Sequence, residues 1–217
     1  MPLDSADFEK GVRWYWREIE LRSHEVQERE RSFPELAQRF GTRQPPHFTR
    51  SDLEDIIKWK YTDRRRCKRA LDGLARVPDD RIRDLTATVD RVTAAGDGAS
   101  ALRGAIPGVG IAGISAILAA ARPDLFPVID VFALTAICHH YDPPWLRTVP
   151  RDAQGRFSAD EKSYAAYTQF CRDCAAELSA ATGQPWTPRR VDMALWGIGK
   201  HLIETHAARP HCVAQTR

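Results

Sequence analysis

The sequence predicts an all-α fold. Apolar residues recur at helical spacing along the chain, no alternating run reads as a strand ladder, and Pro and Gly punctuate the periodic segments. The punctuation divides the chain into about nine or ten helices in one all-α body. No internal repeat and no low-complexity segment interrupts the pattern.

The elements follow in order. Phe8, Val12, Tyr15, Trp16 and Ile19 share one helical stripe. Arg17 to Arg31 is dense in charges of both signs and is expected to be a solvated helix face or loop. Phe33-Pro34 opens a short helix that stops before Gly41, and two prolines between Gly41 and Phe48 mark a connector. Ser51 and Glu54 have the spacing of a capping box, for a helix that buries Leu53, Ile56 and Ile57. Asp79-Asp80 starts a helix through Val92. Ala94 to Ala99 is expected as a turn, and Ala101 to Ala105 as a short helix stopped by Pro107.

Ile111 to Ala121 is helical and Pro123 ends it; Val131 to His139 follows, limited by Pro143-Pro144. Arg151 to Phe157 is expected as a mobile loop. Ser158 with Glu161 repeats the capping-box spacing. The helix after it carries Tyr164, Tyr167, Cys171, Cys174 and Leu178 on one stripe and closes at Gly183. Thr187-Pro188 starts a last long helix with Val191, Leu195, Ile198 and Leu202 inward.

Composition narrows the class. With 43% hydrophobic and 28% charged residues, the chain has the profile of a globular protein with a core. Its longest apolar run, Ile111 to Ala121, is too short to span a bilayer. The segment Met1-Pro-Leu-Asp-Ser lacks a basic flank followed by an apolar stretch, so no signal peptide is expected. Five cysteines at irregular spacing argue against a disulfide framework and for a reducing compartment. The expected place is the cytoplasm, at the bacterial nucleoid. Net charge is only +3, so the distribution of charge carries more information than the total.

The segment richest in chemistry runs from Leu102 to Asp130. Ile106-Pro107-Gly108-Val109-Gly110 is a tight turn between two helices. Gly108 and Gly110 lack Cβ atoms, so the turn can take positive φ and lie against another backbone. Val109 at its tip can pack inward. The amides of Ile111, Ala112 and Gly113 then open a helix, a place that attracts an anion such as a DNA phosphate. Asp130 follows Gly110 by 20 positions, at the end of Phe126-Pro127-Val128-Ile129. Read alone, an aspartate after an apolar run and before a helix is an N-cap.

Hairpin, apolar segment and aspartate at this separation resemble the helix-hairpin-helix DNA glycosylases, the group of endonuclease III and the adenine glycosylase of mismatch repair. The resemblance is strongest over Leu102 to Asp130 and reaches weakly back to Ser51. It implies a two-subdomain fold with the site in the cleft between them. Residues 50–128, with the hairpin over 102–121, would form a helical barrel; residues 1–49 and 129–217 would form the second subdomain. It implies a target nucleotide swung out of the duplex into a pocket. Asp130 would be the carboxylate that stabilises charge on the sugar and orients water. The partner would be double-stranded DNA with a damaged or modified base, bound by a monomer.

The resemblance also has departures. Bifunctional members use a hairpin lysine two positions after the second glycine; Ala112 stands there, so the hairpin supplies no lyase amine and a monofunctional enzyme is expected. Phe132 and Thr135 stand where the family often has a His or other polar residue and an Arg. The iron–sulfur motif of some members has no counterpart, since Cys171 and Cys174 lie at i, i+3 on an apolar stripe. No metal and no cofactor is expected, beyond a monovalent cation that the hairpin could hold. His201 and His206, five apart, lack the spacing of a helical ligand pair.

Lys58 to Arg69 holds seven cations and one acid. One continuous helix would bury Lys60 and Arg64 without partners, which is costly, so a break at Thr62-Asp63 is expected. The turn would present Lys60 and Tyr61 at an edge, with Arg64 close by. Lys60 occupies the place where the resembled enzymes often carry a Gln that fills the gap left by the flipped nucleotide. Singly these cations read as a solvated face; beside the hairpin they read as phosphate contacts. Trp14, Trp59, Trp196 and Tyr61 are candidates for stacking on the flipped base. The first rival reading is a helix-hairpin-helix DNA-binding protein without catalysis. The second is a helical protein of unrelated function whose hairpin binds a protein backbone, which a lack of salt-dependent DNA binding would favour.

Overall fold

The computed structural model describes residues 2–205 and Cys212. Ten α-helices and two short 3-10 turns make up the described residues, with no strand among them; the chain is all-α. Side-chain caps open six of the helices. Asp4 caps α1 (Ser5–Glu20), Thr49 caps α3 (Arg50–Lys60), and Asp63 caps α4 (Arg64–Leu74). Asp130 caps α8 (Val131–His140), Asp160 caps α9 (Glu161–Thr182), and Thr187 caps α10 (Pro188–Glu204). In each, an oxygen accepts from an amide that the helix leaves without an internal acceptor. The remaining helices are α2 (His24–Gly41), α5 (Asp79–Ala87), α6 (Ala95–Leu102) and α7 (Ile111–Ala121).

α7 is the centre of the core. Every residue from Gly113 to Ala121 is buried, because α2, α3, α6 and α9 all pack on it. α10 packs on α1 and α8. It comes close enough that a Cβ at Gly197 would lie 2.2 Å from the Gly11 carbonyl oxygen, and one at Gly199 1.8 Å from that of Phe132. One continuous apolar cluster runs through both groups of helices. Among the described residues no helix is long and apolar enough to cross a membrane.

The expected inward residues are buried: Leu53, Ile56 and Ile57 on α3, the Tyr164–Leu178 stripe on α9, and Val191, Leu195, Ile198 and Leu202 on α10. The break at Thr62-Asp63 is present, with Gly183 closing α9 at φ +66°.

Several local expectations are corrected. Both proposed capping boxes sit two residues off: Thr49 pairs with Asp52 and Asp160 with Ser163. Asp52 is buried because Arg39 and Arg43 meet it at 3.0 and 2.8 Å. Ala94 to Ala99 is mostly helical, since α6 spans Ala95–Leu102 and packs on α9. Phe33-Pro34 lies inside α2, which starts nine residues earlier at His24. Packing of Phe33, Leu36 and Phe40 on the core sustains that helix through the proline.

The segment 17–31 is not all solvated: Glu30 is buried. The 151–157 loop is closed by a bridge between Arg151 and Phe157, and the Asp152 carboxylate accepts from the Gln154 and Arg156 amides. Cys138 and Cys212 form a disulfide, contrary to the expectation from cysteine number; an odd set permits one pair. Cys171 and Cys174 are buried thiols, and burial pushes Cys174 up to about 12. His206 lies outside the described residues.

Candidate functional site

Asp130 owes its position to the segment before it. Phe126 to Ile129 is buried and belongs to no helix, and buried backbone outside a helix must find its hydrogen bonds elsewhere. Three helices supply them. The Val128 amide donates to Asp192 on α10 (2.8 Å), and the Ile129 amide to Ser115 on α7 (3.2 Å). Tyr164 on α9 donates its hydroxyl to the Pro127 carbonyl (3.1 Å). The next residue, Asp130, enters α8 with one carboxylate oxygen accepting the Phe132 amide at 3.1 Å. The N-cap role read from the sequence is therefore present.

The other oxygen faces Lys60, the last residue of α3. The ammonium lies 3.1 Å from Asp130 and 3.2 Å from the Ile129 carbonyl. Its side chain is only 9% exposed, against 25% for Asp130. The expectation of a lysine held out at the edge is thus corrected: an acceptor pair at the end of the buried segment draws it inward.

The turn from α6 to α7 lies beside this pair. Gly108 has φ +84°, and a Cβ there would sit 2.9 Å from the Arg69 carbonyl oxygen, so glycine is required twice over. Gly110, by contrast, has open space around it. Val109 packs inward as expected. Tyr61 fills the angle between α3 and the hairpin: its hydroxyl meets the backbone of Gly110 and Gly113, and burial raises its ionisation above the ordinary tyrosine value. A Cβ on Gly113 would lie 2.5 Å from that hydroxyl. Ile111 and Ala112 line the groove at the start of α7.

Two concavities meet at the Lys60–Asp130 pair. One is a groove of about 570 Å³ along the hairpin, with Gly108, Gly110, Arg66 and Arg69 on its walls. The other is a pocket of about 440 Å³ walled by Trp59, Trp196, Phe132 and Tyr15, with Arg64 at its edge. Lys60, Tyr61, Thr62 and Asp130 line both. The sequence candidates Trp59 and Trp196 therefore share the pocket. Trp14 does not line it: its ring stacks on His201 at 4.0 Å, with Lys10 over the face.

The floor of the pocket is a buried ionic network that the sequence reading missed. Arg189 donates to Asp192 at 2.9 Å, to the Tyr15 hydroxyl at 3.1 Å and to Glu30 at 3.2 Å. Trp59 Nε1 donates to the second Glu30 oxygen at 2.7 Å, and the Trp59 ring tilts against Phe33. Burial pushes the Asp192 carboxyl up to about 6, against the opposing pull of Arg189 and the Val128 amide. Burial likewise raises Tyr15. Arg189 and Asp192 at i, i+3 were a readable ion-pair spacing. Glu30 was hidden in a run of similar charges.

Phe132 packs edge-on against Trp196, and Thr135 is buried with its hydroxyl on the Val131 carbonyl. Among the described residues no group of three or more His, Cys, Asp or Glu side chains is placed to hold a metal ion.

Comparison with protein-family models, with curated proteins and with solved structures returned no match.

Proposed function

We propose that this chain is a DNA glycosylase of the helix-hairpin-helix kind, which hydrolyses the N-glycosidic bond of a damaged or modified base in duplex DNA. The observation that carries the reading is the position of Asp130, where a hairpin groove and an aromatic pocket meet. Phosphates follow the groove, held by the Ile111 and Ala112 amides at the start of α7 and by Arg66 and Arg69, while the Gly113 amide is taken by the Gly110 carbonyl and faces Tyr61. The base turns into the pocket and stacks on Trp59 or Trp196. Its sugar, between base and phosphate, then lies at Asp130.

The C1′–N bond breaks with its electron pair leaving on the base. Positive charge grows on the sugar, and the adjacent carboxylate stabilises it. Asp130 takes a proton from water as the oxygen adds to C1′, leaving an abasic site. Ala112 gives the hairpin no amine, and water is the nucleophile in this excision step.

The rival reading, DNA binding without excision, draws on Phe132 and Thr135, which are given over to packing. Duplexes bearing uracil, 8-oxoguanine, alkylated purines, hypoxanthine or mismatches separate the two. Wild type should release one of these bases, scored as strand breaks after hot alkali, and Asp130→Asn should lose the activity while still binding the duplex. Salt-dependent binding with no excision across the panel favours the rival.

A further inference from the structure

Ala112 removes the amine from the hairpin, but the fold delivers one to the same carboxylate from α3. Lys60 Nζ lies 3.1 Å from Asp130, its side chain is nearly buried, and it borders both the groove and the pocket. Most other cations near the site are guanidinium groups, which do not condense with aldehydes; Lys58 is a second amine lining the pocket, but its ammonium is paired with Glu54 at 3.4 Å and its side chain is 37% exposed, against 9% for Lys60 on Asp130. A lysine put in this place only for phosphate attraction would face the groove with its charge open to water. Lys60 instead holds its head group on Asp130 and the Ile129 carbonyl, at the point assigned above to the sugar.

We propose that Lys60 is a second catalytic residue: it condenses with C1′ of the abasic sugar and makes the protein an abasic-site lyase. The proposal rests on the glycosylase reading only for where the sugar sits. The abasic sugar opens to an aldehyde. The Lys60 ammonium gives a proton to Asp130, and the free amine adds to C1′. The proton returns from Asp130 to the carbinolamine hydroxyl, which leaves as water, so ammonium and aldehyde become a protonated Schiff base and water. A base then takes a proton from C2′. The C2′–H electrons form the C2′–C3′ double bond, and the C3′–O bond breaks with its pair on the 3′ phosphate. Water hydrolyses the imine, freeing Lys60 and an unsaturated aldehyde on the other strand end. No oxidant or reductant is needed.

The test uses the full chain and a duplex with a preformed abasic site, so it does not depend on base excision. Sodium borohydride reduces a Schiff base to a stable secondary amine. Wild type should give a covalent protein–DNA species, and peptide mapping should place the reduced adduct on Lys60. Lys60→Arg keeps a cation beside Asp130 and should lose the adduct and the alkali-independent strand break, while its circular dichroism stays native. An adduct absent from wild type, mapped to another residue, or undiminished in Lys60→Arg overturns the proposal. Should Lys60→Arg not fold, the mapping in wild type decides alone. Excision in the base panel without an adduct here sinks the lyase and spares the glycosylase; an adduct here without excision of any base does the reverse.

Discussion

A Cβ atom on Gly73 would lie 1.7 Å from the carbonyl oxygen of Pro107. α4 thus carries the hairpin backbone directly on its own, with no side chain between, and Arg69 one turn earlier meets Gly108 in the same way. The contact fixes the hairpin relative to the basic start of α4.

Gly73→Ala should therefore lower stability by about 2–3 kcal/mol, since backbone must move to admit the methyl group, and drop Tm by roughly 4–10 °C. Gly110→Ala should behave differently. Open space surrounds Gly110 at φ −90°, so its cost should stay within about 1 kcal/mol. The methyl group there would stand between a phosphate and the α7 amides, and duplex affinity should fall about tenfold or more. Calorimetry and fluorescence anisotropy check the pair; equal thermal losses in both variants would refute this account of the hairpin.

Glu30 bridges Arg189 and Trp59 in a buried setting. Glu30→Ala leaves Arg189 with an unbalanced share of its charge and the Trp59 N–H without an acceptor, at a cost of about 3–5 kcal/mol. Glu30→Gln keeps an acceptor oxygen and should cost less, about 1–3 kcal/mol. Urea unfolding of both variants measures the difference, and two small, equal losses would show that the network does not support the fold.

Asp192 gives stability a pH dependence with a definite sign. Its carboxyl titrates at about 6 in the folded chain, raised by burial. Unfolded, an Asp carboxyl titrates near about 4. Between these values the folded state binds more protons, so this group's contribution is full below about pH 4 and is lost as pH rises through about 6. Wild type should lose stability relative to Asp192→Asn over that window. Parallel Tm curves for the two proteins from pH 4 to 7 would count against it.

The pocket tryptophans should separate from Trp14. Leu in place of Trp59 or Trp196 removes a stacking surface worth about 1–3 kcal/mol per base. Binding to a duplex with a destabilised base pair should weaken accordingly, while Trp14→Leu should leave affinity unchanged, because that ring stacks on His201 away from the pocket. Equal effects at all three positions would remove the pocket assignment.

Thiol titration checks the cysteine arrangement. Under denaturing, non-reducing conditions the chain should show three reactive thiols, from Cys67, Cys171 and Cys174, and five after reduction. Five before reduction would mean that Cys138 and Cys212 are unpaired in solution.

The sequence by itself determined the helical class, the limits of α7 and α8 and the start of α10, the buried stripes, the break before α4 and the inward turn of Val109. These follow from period, caps and breakers, which act within a few residues. It also marked Asp130 and the hairpin, because their spacing is local. Only the tertiary structure decided what surrounds Asp130. Lys60 is 70 positions away, and nothing in its neighbourhood says that it turns inward rather than out to solvent. Glu30 on α2 and Arg189 on α10, 159 apart, pair only because both helices pack around the same pocket floor. Trp14 and Trp196 both lie off the apolar stripes of their helices, and the fold sends one to a histidine and the other into the pocket. Burial of a charge is a property of all the helices around it, and the helices that meet at this site come from both ends and the middle of the chain.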